Sequence, residues 1–173
     1  MKQAAPERLA HECWAWLAAR AWTGERPAAA RQFIASLMPI VAGSVDRLDE
    51  VADRVEFIFE WDAARASALA AAEPDGRRVL EAFADEARGQ ALLDKDTFRA
   101  VMGRVKDRTG LKGKALFHPV RVALTAAESG PELDLAVPAI DRGSQLPADA
   151  GVKRIVSSHQ RVTAILNSPF TNS

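Results

Sequence analysis

The 173-residue chain carries 23 basic and 23 acidic residues, so its formal net charge is zero and bulk charge names no partner. Hydrophobic residues make up 48% of it and charged ones 27%, and a single cysteine, Cys13, excludes a disulfide framework or a multi-cysteine metal site. The longest uncharged apolar run, residues 32–45, is too short to span a bilayer, and Glu7 and Glu12 do not fit a signal peptide, so a cytoplasmic protein is expected.

The pattern along the chain is helical. Tyrosine is absent and β-branched residues rarely alternate with polar ones, so nothing beyond a short hairpin is expected of strands. Pro6 suits the first turn of a helix predicted over 6–21, and the break at 23–27 precedes a second over 27–41. Gly43 and Ser44 punctuate the chain before a third helix, 45–59. A fourth is predicted over 61–72, ahead of Pro74, and a fifth over 75–88. The sixth has the plainest signature. Phe98, Val101, Met102 and Val105 recur at i, i+3, i+4 and i+7, Asp94 or Asp96 can cap the start, and Gly110 ends it.

Pro119 is read as the first residue of a seventh helix, with Phe117, Val120, Leu124 and Ala127 as its buried stripe. A short apolar turn, 131–140, ends at Gly143. A polar link, 144–150, then leads to a last helix over 152–166, with Ile155, Val156, Val162 and Leu166 facing the core. Residues 167–173 read as a loose tail. The expectation is an all-α bundle or array of about eight helices in one domain. If it divides at all, the lobes are about 1–92 and 93–166.

Positive charge is gathered into one segment. Residues 1–94 hold 11 basic and 16 acidic groups, a net of −5; residues 95–121 hold eight basic against two acidic, a net of +6; residues 122–173 hold four against five. Within the basic segment, Arg104, Lys106 and Arg108 lie on the polar side of the sixth helix or at its end. Lys112 and Lys114 flank Gly113 in the loop ahead of the seventh, where a helix N-terminus is receptive to phosphate. These five could face one nucleic-acid backbone. They could equally form a solvated face, neutralised by the acidic residues of 1–94.

No catalytic constellation is apparent. His11, His118 and His159 lie far apart in sequence, with no metal-ligand spacing and no glycine-rich phosphate loop. No catalytic residue, metal or cofactor is expected. Trp14 and Trp16 point about 200° apart on one helix. Either the first helix is wrapped on two sides, or Trp14, Trp16 and Trp22 contribute to an exposed patch where another domain or a second copy docks.

The stretch VKDRTGLKGKALFHPVRVALTAAESGPEL, residues 105–133, resembles the hallmark segment of the anticodon-binding domain of bacterial glutamyl-tRNA synthetases. The resemblance rests on Thr109, Gly110, Lys112, Lys114, Leu116, Phe117, Pro119, Arg121, Ala123, Leu124, Thr125, Gly130, Pro131 and Leu133. Weaker similarity runs back to about Phe33, through FIFEWDAARA, and forward to Gly143 and VKRIVSSHQRV. It implies an all-α fold and a tRNA-binding module for a glutamate-type tRNA. The catalytic signatures of His-x-Gly-His and Lys-Met-Ser-Lys type do not occur in these residues. The chain is therefore expected to be no enzyme on its own, acting as part of a synthetase, as a partner to its catalytic domain, or by self-association. The candidate RNA contacts are Lys106, Arg108, Lys112, Lys114, Arg104 and Arg121, of which Arg121 could instead brace its helix. The sequence departs from the family at Ala126, where the family has glycine, and at Ser44, where it has an anticodon-facing arginine. The alternative is an orphan helical interaction domain that kept the fold without the RNA.

Overall fold

A computed structural model describes residues 6–25, 27–41 and 46–168. Among them the chain forms nine helices: α1 (Pro6–Ala19), α2 (Ala28–Val41), α3 (Glu50–Phe59), α4 (Ala63–Ala71), α5 (Gly76–Glu86), α6 (Lys95–Thr109), α7 (Lys114–Thr125), α8 (Leu133–Ser144) and α9 (Ser158–Asn167). β pairing among the described residues is confined to one isolated bridge, Thr23 to Val152. The all-α expectation therefore holds, and no helix among these residues is long and apolar enough to cross a membrane. Buried side chains from Ala10 to Ile165 belong to one hydrophobic cluster.

α6 forms where its sequence placed it. The Asp94 carboxylate accepts from the Thr97 N–H at 2.8 Å, and Gly110 ends the helix at φ 71°, a conformation that favours glycine. At the other end of the chain α1 ends at Ala19, and Ala21 in the turn after it lies at φ 59°. That left-handed residue turns the backbone so that Trp22 N–H reaches back to the Leu17 carbonyl and the indole enters the core. There Trp22 stacks on Phe59 at 4.9 Å, and Phe33 meets Phe59 edge-on at 6.3 Å.

Four expectations need correction. α3 begins at Glu50, after turns at 46–49; the earlier start at 45 and the break at Gly43 and Ser44 lie outside the described residues. α7 begins five residues before Pro119, so the proline sits inside the helix. It removes the N–H that would bond the Ala115 carbonyl, at about 3 kcal/mol in an ordinary helix interior. Burial of Leu116, Val120, Ala123 and Leu124 outweighs that loss, because each large apolar side chain taken from water contributes about 1.5–3 kcal/mol. The buried stripe keeps Val120 and Leu124 of the expected one but takes Leu116 and Ala123 in place of Phe117 and Ala127, and Phe117 is exposed.

The apolar turn expected over 131–140 is α8, with Pro138 in its middle. Leu133, Ala136, Val137 and Ile140 are all buried at i, i+3, i+4 and i+7, and this periodicity prevails over the proline. Finally, α9 begins at Ser158 rather than 152. Ser157 and Gln160 form a reciprocal capping box that fixes the start, residues 153–157 run without helix, and Val156 is exposed while Ile165 takes the core position. Most of the expected tail, residues 169–173, lies outside the described residues.

Candidate nucleic-acid interface

The basic segment folds into an elbow. α6 descends to Gly110, the chain turns through Gly113 at φ 59°, and α7 leaves from Lys114 with no side-chain cap. Its first-turn N–H groups thus present the positive end of the helix dipole beside Lys112 and Lys114.

The structure divides the six candidate residues three ways. Arg104 and Arg108 are spoken for. The Arg104 Nε donates to Glu86 at 2.8 Å, and Arg108 reaches both Asp85 at 3.1 Å and Glu86 at 3.3 Å at the end of α5. The Asp85 hydrogen bond, chiefly, raises the Arg108 pKa further above its usual range. Arg88 also reaches Asp85 at 3.0 Å, so three guanidiniums share two carboxylates; Arg104 and Arg108 are held in these pairs, although exposed ion pairs contribute only about 0–1 kcal/mol each.

Lys106, Lys112 and Lys114 behave differently. All three are exposed and make no side-chain hydrogen bond or ion pair among the described residues. Lys106 and Lys112 line one cleft of about 260 Å³ between α6 and α7, floored by Phe98, Met102 and Leu116. Lys114 is not in that cleft. It borders a separate hollow with Glu73, Pro74, Asp75 and Ala115, on the α4–α5 side of the elbow.

Arg121 is half-buried. Its Nη1 donates to the Pro131 carbonyl at 2.9 Å, tying α7 to the turn before α8, and burial lowers its pKa. That geometry matches a brace; its guanidinium also borders a second cleft of about 330 Å³ with Phe98, Arg99, Phe117 and Asp134. Ser44 lies outside the described residues, so no geometry is assigned to it.

The tryptophan patch is not formed. Trp14 is 4% and Trp22 1% exposed, both in the core, whereas Trp16 is 46% exposed. Trp14 is buried as α1 packs on α2 and α3, and the Trp22 indole N–H donates to Glu60 at 3.0 Å. Of the three, Trp16 alone faces solvent.

Sequence reasoning missed the assembly that fixes the far end of α7. The Arg161 guanidinium, on α9, is fully buried and donates to four carbonyls: Val156 at 2.9 Å, Phe57 at 2.7 Å, Leu124 at 2.8 Å and Ile58 at 2.8 Å. It thereby satisfies last-turn carbonyls of both α3 and α7. The Trp61 indole adds a bond to the Ala123 carbonyl at 2.9 Å and lies under the guanidinium at 5.6 Å. Burial pushes the Arg161 pKa down to about 9, opposed by the Asp141 carboxylate. Asp141, itself buried, accepts from Leu92 N–H, Ser158 N–H and Ser158 Oγ at 2.7–2.9 Å. Arg161 occupies the i+3 place of the buried face Ser158, Arg161, Val162, Ile165. A charge on an apolar stripe is the signal that could have found it.

Comparison with known proteins places this geometry. The family described as "Anticodon binding domain" matches residues 8–145. The chain is 37% identical over 102 residues to glutamate–tRNA ligase 1 of Chelativorans sp., a match covering 59% of this chain and 21% of that protein. It is 29% identical over 112 residues to glutamate–tRNA ligase of Sulfurihydrogenibium sp., covering 63% and 23%. A crystal structure of a glutamate tRNA ligase from Elizabethkingia meningosepticum superposes on 95% of this chain and 30% of that one, with a TM-score of 0.68 at 10% identity, a likeness of fold. The matches thus span between a fifth and a quarter of the length of these two curated relatives.

Proposed function

The chain belongs to the anticodon-binding domain family, and from that premise we propose that it is a tRNA-binding module whose RNA-facing surface is the α6–α7 elbow. The observation that carries this reading is the unpaired state of Lys106, Lys112 and Lys114 inside the one strongly positive segment of a neutral chain. Acidic neighbours pair with Arg104 and Arg108, yet leave these three lysines as mobile point charges in solvent. Contacts of that kind position an RNA backbone and carry no sequence information. The matched relatives are glutamate–tRNA ligases, which favours a glutamate-type tRNA and a role supporting its aminoacylation in the cytoplasm, within or beside a synthetase.

Filter binding of tRNA across a salt series tests the reading. Three phosphate contacts release counterions on binding, so the log–log slope of affinity against salt is expected at about −2 to −3, from roughly 0.7 to 0.9 per contact. A slope near zero, or no binding at low salt, returns the chain to the orphan interaction domain. In the same proposal the chain does not charge tRNA alone. Pyrophosphate exchange with ATP, glutamate and tRNA stays at background, and turnover would overturn that part.

A further inference from the structure

Phe117 is the large apolar side chain of the elbow that the core does not take. It is 40% exposed, while its neighbours Leu116 and Val120 are fully buried. The α7 stripe explains the placement, because one residue along a helix turns a side chain about 100° from the buried face. It does not explain the residue. A polar side chain would serve at that position, and the ring has neither a ring partner nor a cation partner among the described residues.

What surrounds the ring is informative. Phe117 is a shared wall between the two clefts of the elbow, with Phe98 and Arg99 common to both. Lys106 and Lys112 line the first, which has no acidic residue in its wall. The second has Arg121, bonded to the Pro131 carbonyl, and Arg99, paired with Asp134 at 2.6 Å, with Glu132 also in its wall, so the free cations lie on the first side alone. An open aromatic face thus stands beside two unpaired lysines, the combination that binds a single strand: charge follows the backbone while a ring takes a base.

We propose that Phe117 is a stacking platform for one unpaired nucleobase of RNA, with Lys106 and Lys112 holding the phosphates of the same strand. This rests on the reading of the elbow as the RNA-facing surface and narrows it to unpaired nucleotides. The platform accepts any base, since every base has a π-face, and a duplex cannot use it because its bases are stacked on one another.

The test is fluorescence anisotropy with a labelled oligouridylate and a blunt RNA duplex as probes, at low salt and across a salt series. Wild type is expected to bind the single strand more tightly than the duplex. Phe117→Ala and Phe117→Leu lower single-strand affinity roughly tenfold, Phe117→Trp retains it, and all leave duplex affinity and salt slope unchanged. Phe117→Leu keeps the apolar bulk without the π-face, so its unchanged melting temperature separates stacking from folding. Single-strand affinity equal to wild type in Phe117→Leu and Phe117→Ala overturns the platform alone, provided the lysine-dependent salt slope persists. Absence of any RNA binding overturns both it and the functional reading. Wild type that sediments as a dimer while Phe117→Ala is monomeric assigns the ring to a second copy and overturns the platform too.

Discussion

At the C-terminal end of α7 a guanidinium is buried and four of its N–H groups are bonded to carbonyls, whereas at the N-terminal end three ammonium groups stand in solvent with no partner among the described residues. Both ends are cationic, and a charge count cannot separate them. The difference lies in what each cation leaves unsatisfied. Arg161 spends its donors on the last turns of α3 and α7, so it closes the fold and offers a partner nothing. Lys106, Lys112 and Lys114 spend theirs on water, which a phosphate can displace. Arg104 and Arg108 are intermediate, exposed but ion-paired with Asp85 and Glu86.

The sharpest way to break this comparison is to remove the buried cation. Arg161→Ala strips the partner from four carbonyls, those of Leu124 and Ile58 buried, and leaves a hole, and about 3–5 kcal/mol of stability is expected to go. Arg161→Lys keeps the charge but not the planar fork, and is expected to recover less than half of that loss. Urea denaturation reads both; a loss under about 1 kcal/mol would mean that the carbonyls find water and the knot is ornamental.

A smaller effect is expected at Arg121, which belongs to the same class as Arg161 if it is a brace. Arg121→Ala frees the Pro131 carbonyl and lowers stability by about 1 kcal/mol, with the salt slope of tRNA binding unchanged. A flattened slope at unchanged stability would move Arg121 into the company of the lysines. The smallest change goes the other way. Ala126 ends α7 at φ 55°, where an L side chain is strained by about 1–2 kcal/mol and glycine is not. Ala126→Gly restores the residue that the resembled family has there. It is expected to stabilise by about 0.5–1 kcal/mol in thermal melts, the strain relief being partly offset by the entropy glycine loses on folding. Destabilisation would mean that the Ala126 methyl, buried in the α7–α8 junction, contributes more than its backbone loses.

The legible parts of the fold were those governed by short-range rules. The end of α6 could be read to the residue and its start to one of two caps, Asp94 or Asp96, because those carboxylates, the 98-101-102-105 stripe and Gly110 each act within one or two turns. α8 and the start of α7 were obscured by prolines, although Leu133, Ala136, Val137 and Ile140 carry the helical period openly. Burial across the whole stripe decided against the local rule. The capping box that starts α9, Ser157 with Gln160, was also on the page and outweighed the apolar residues before it.

The site was legible only in part. The clustering of basic residues, the turn at Gly113 and the strongest part of the likeness to an anticodon-binding domain come from residues 95–133. Which of those cations remain free does not, because it depends on how α5 docks against α6 and brings Asp85 and Glu86 within reach. The burial of Trp22 was hidden for a similar reason. It requires Ala21 to adopt a left-handed turn that alanine seldom takes.

The central claim is that free and paired cations on the same elbow have different work, and salt dependence separates them directly. tRNA binding is measured across a salt series for wild type, for Lys106→Ala with Lys112→Ala, and for Arg104→Ala with Arg108→Ala. The account predicts that the lysine pair flattens the log–log slope by about 1.5 without lowering the melting temperature, and that the arginine pair leaves the slope within about 0.5 of wild type. An arginine pair that flattens the slope as much as the lysine pair, or a lysine pair that leaves it untouched, would contradict it.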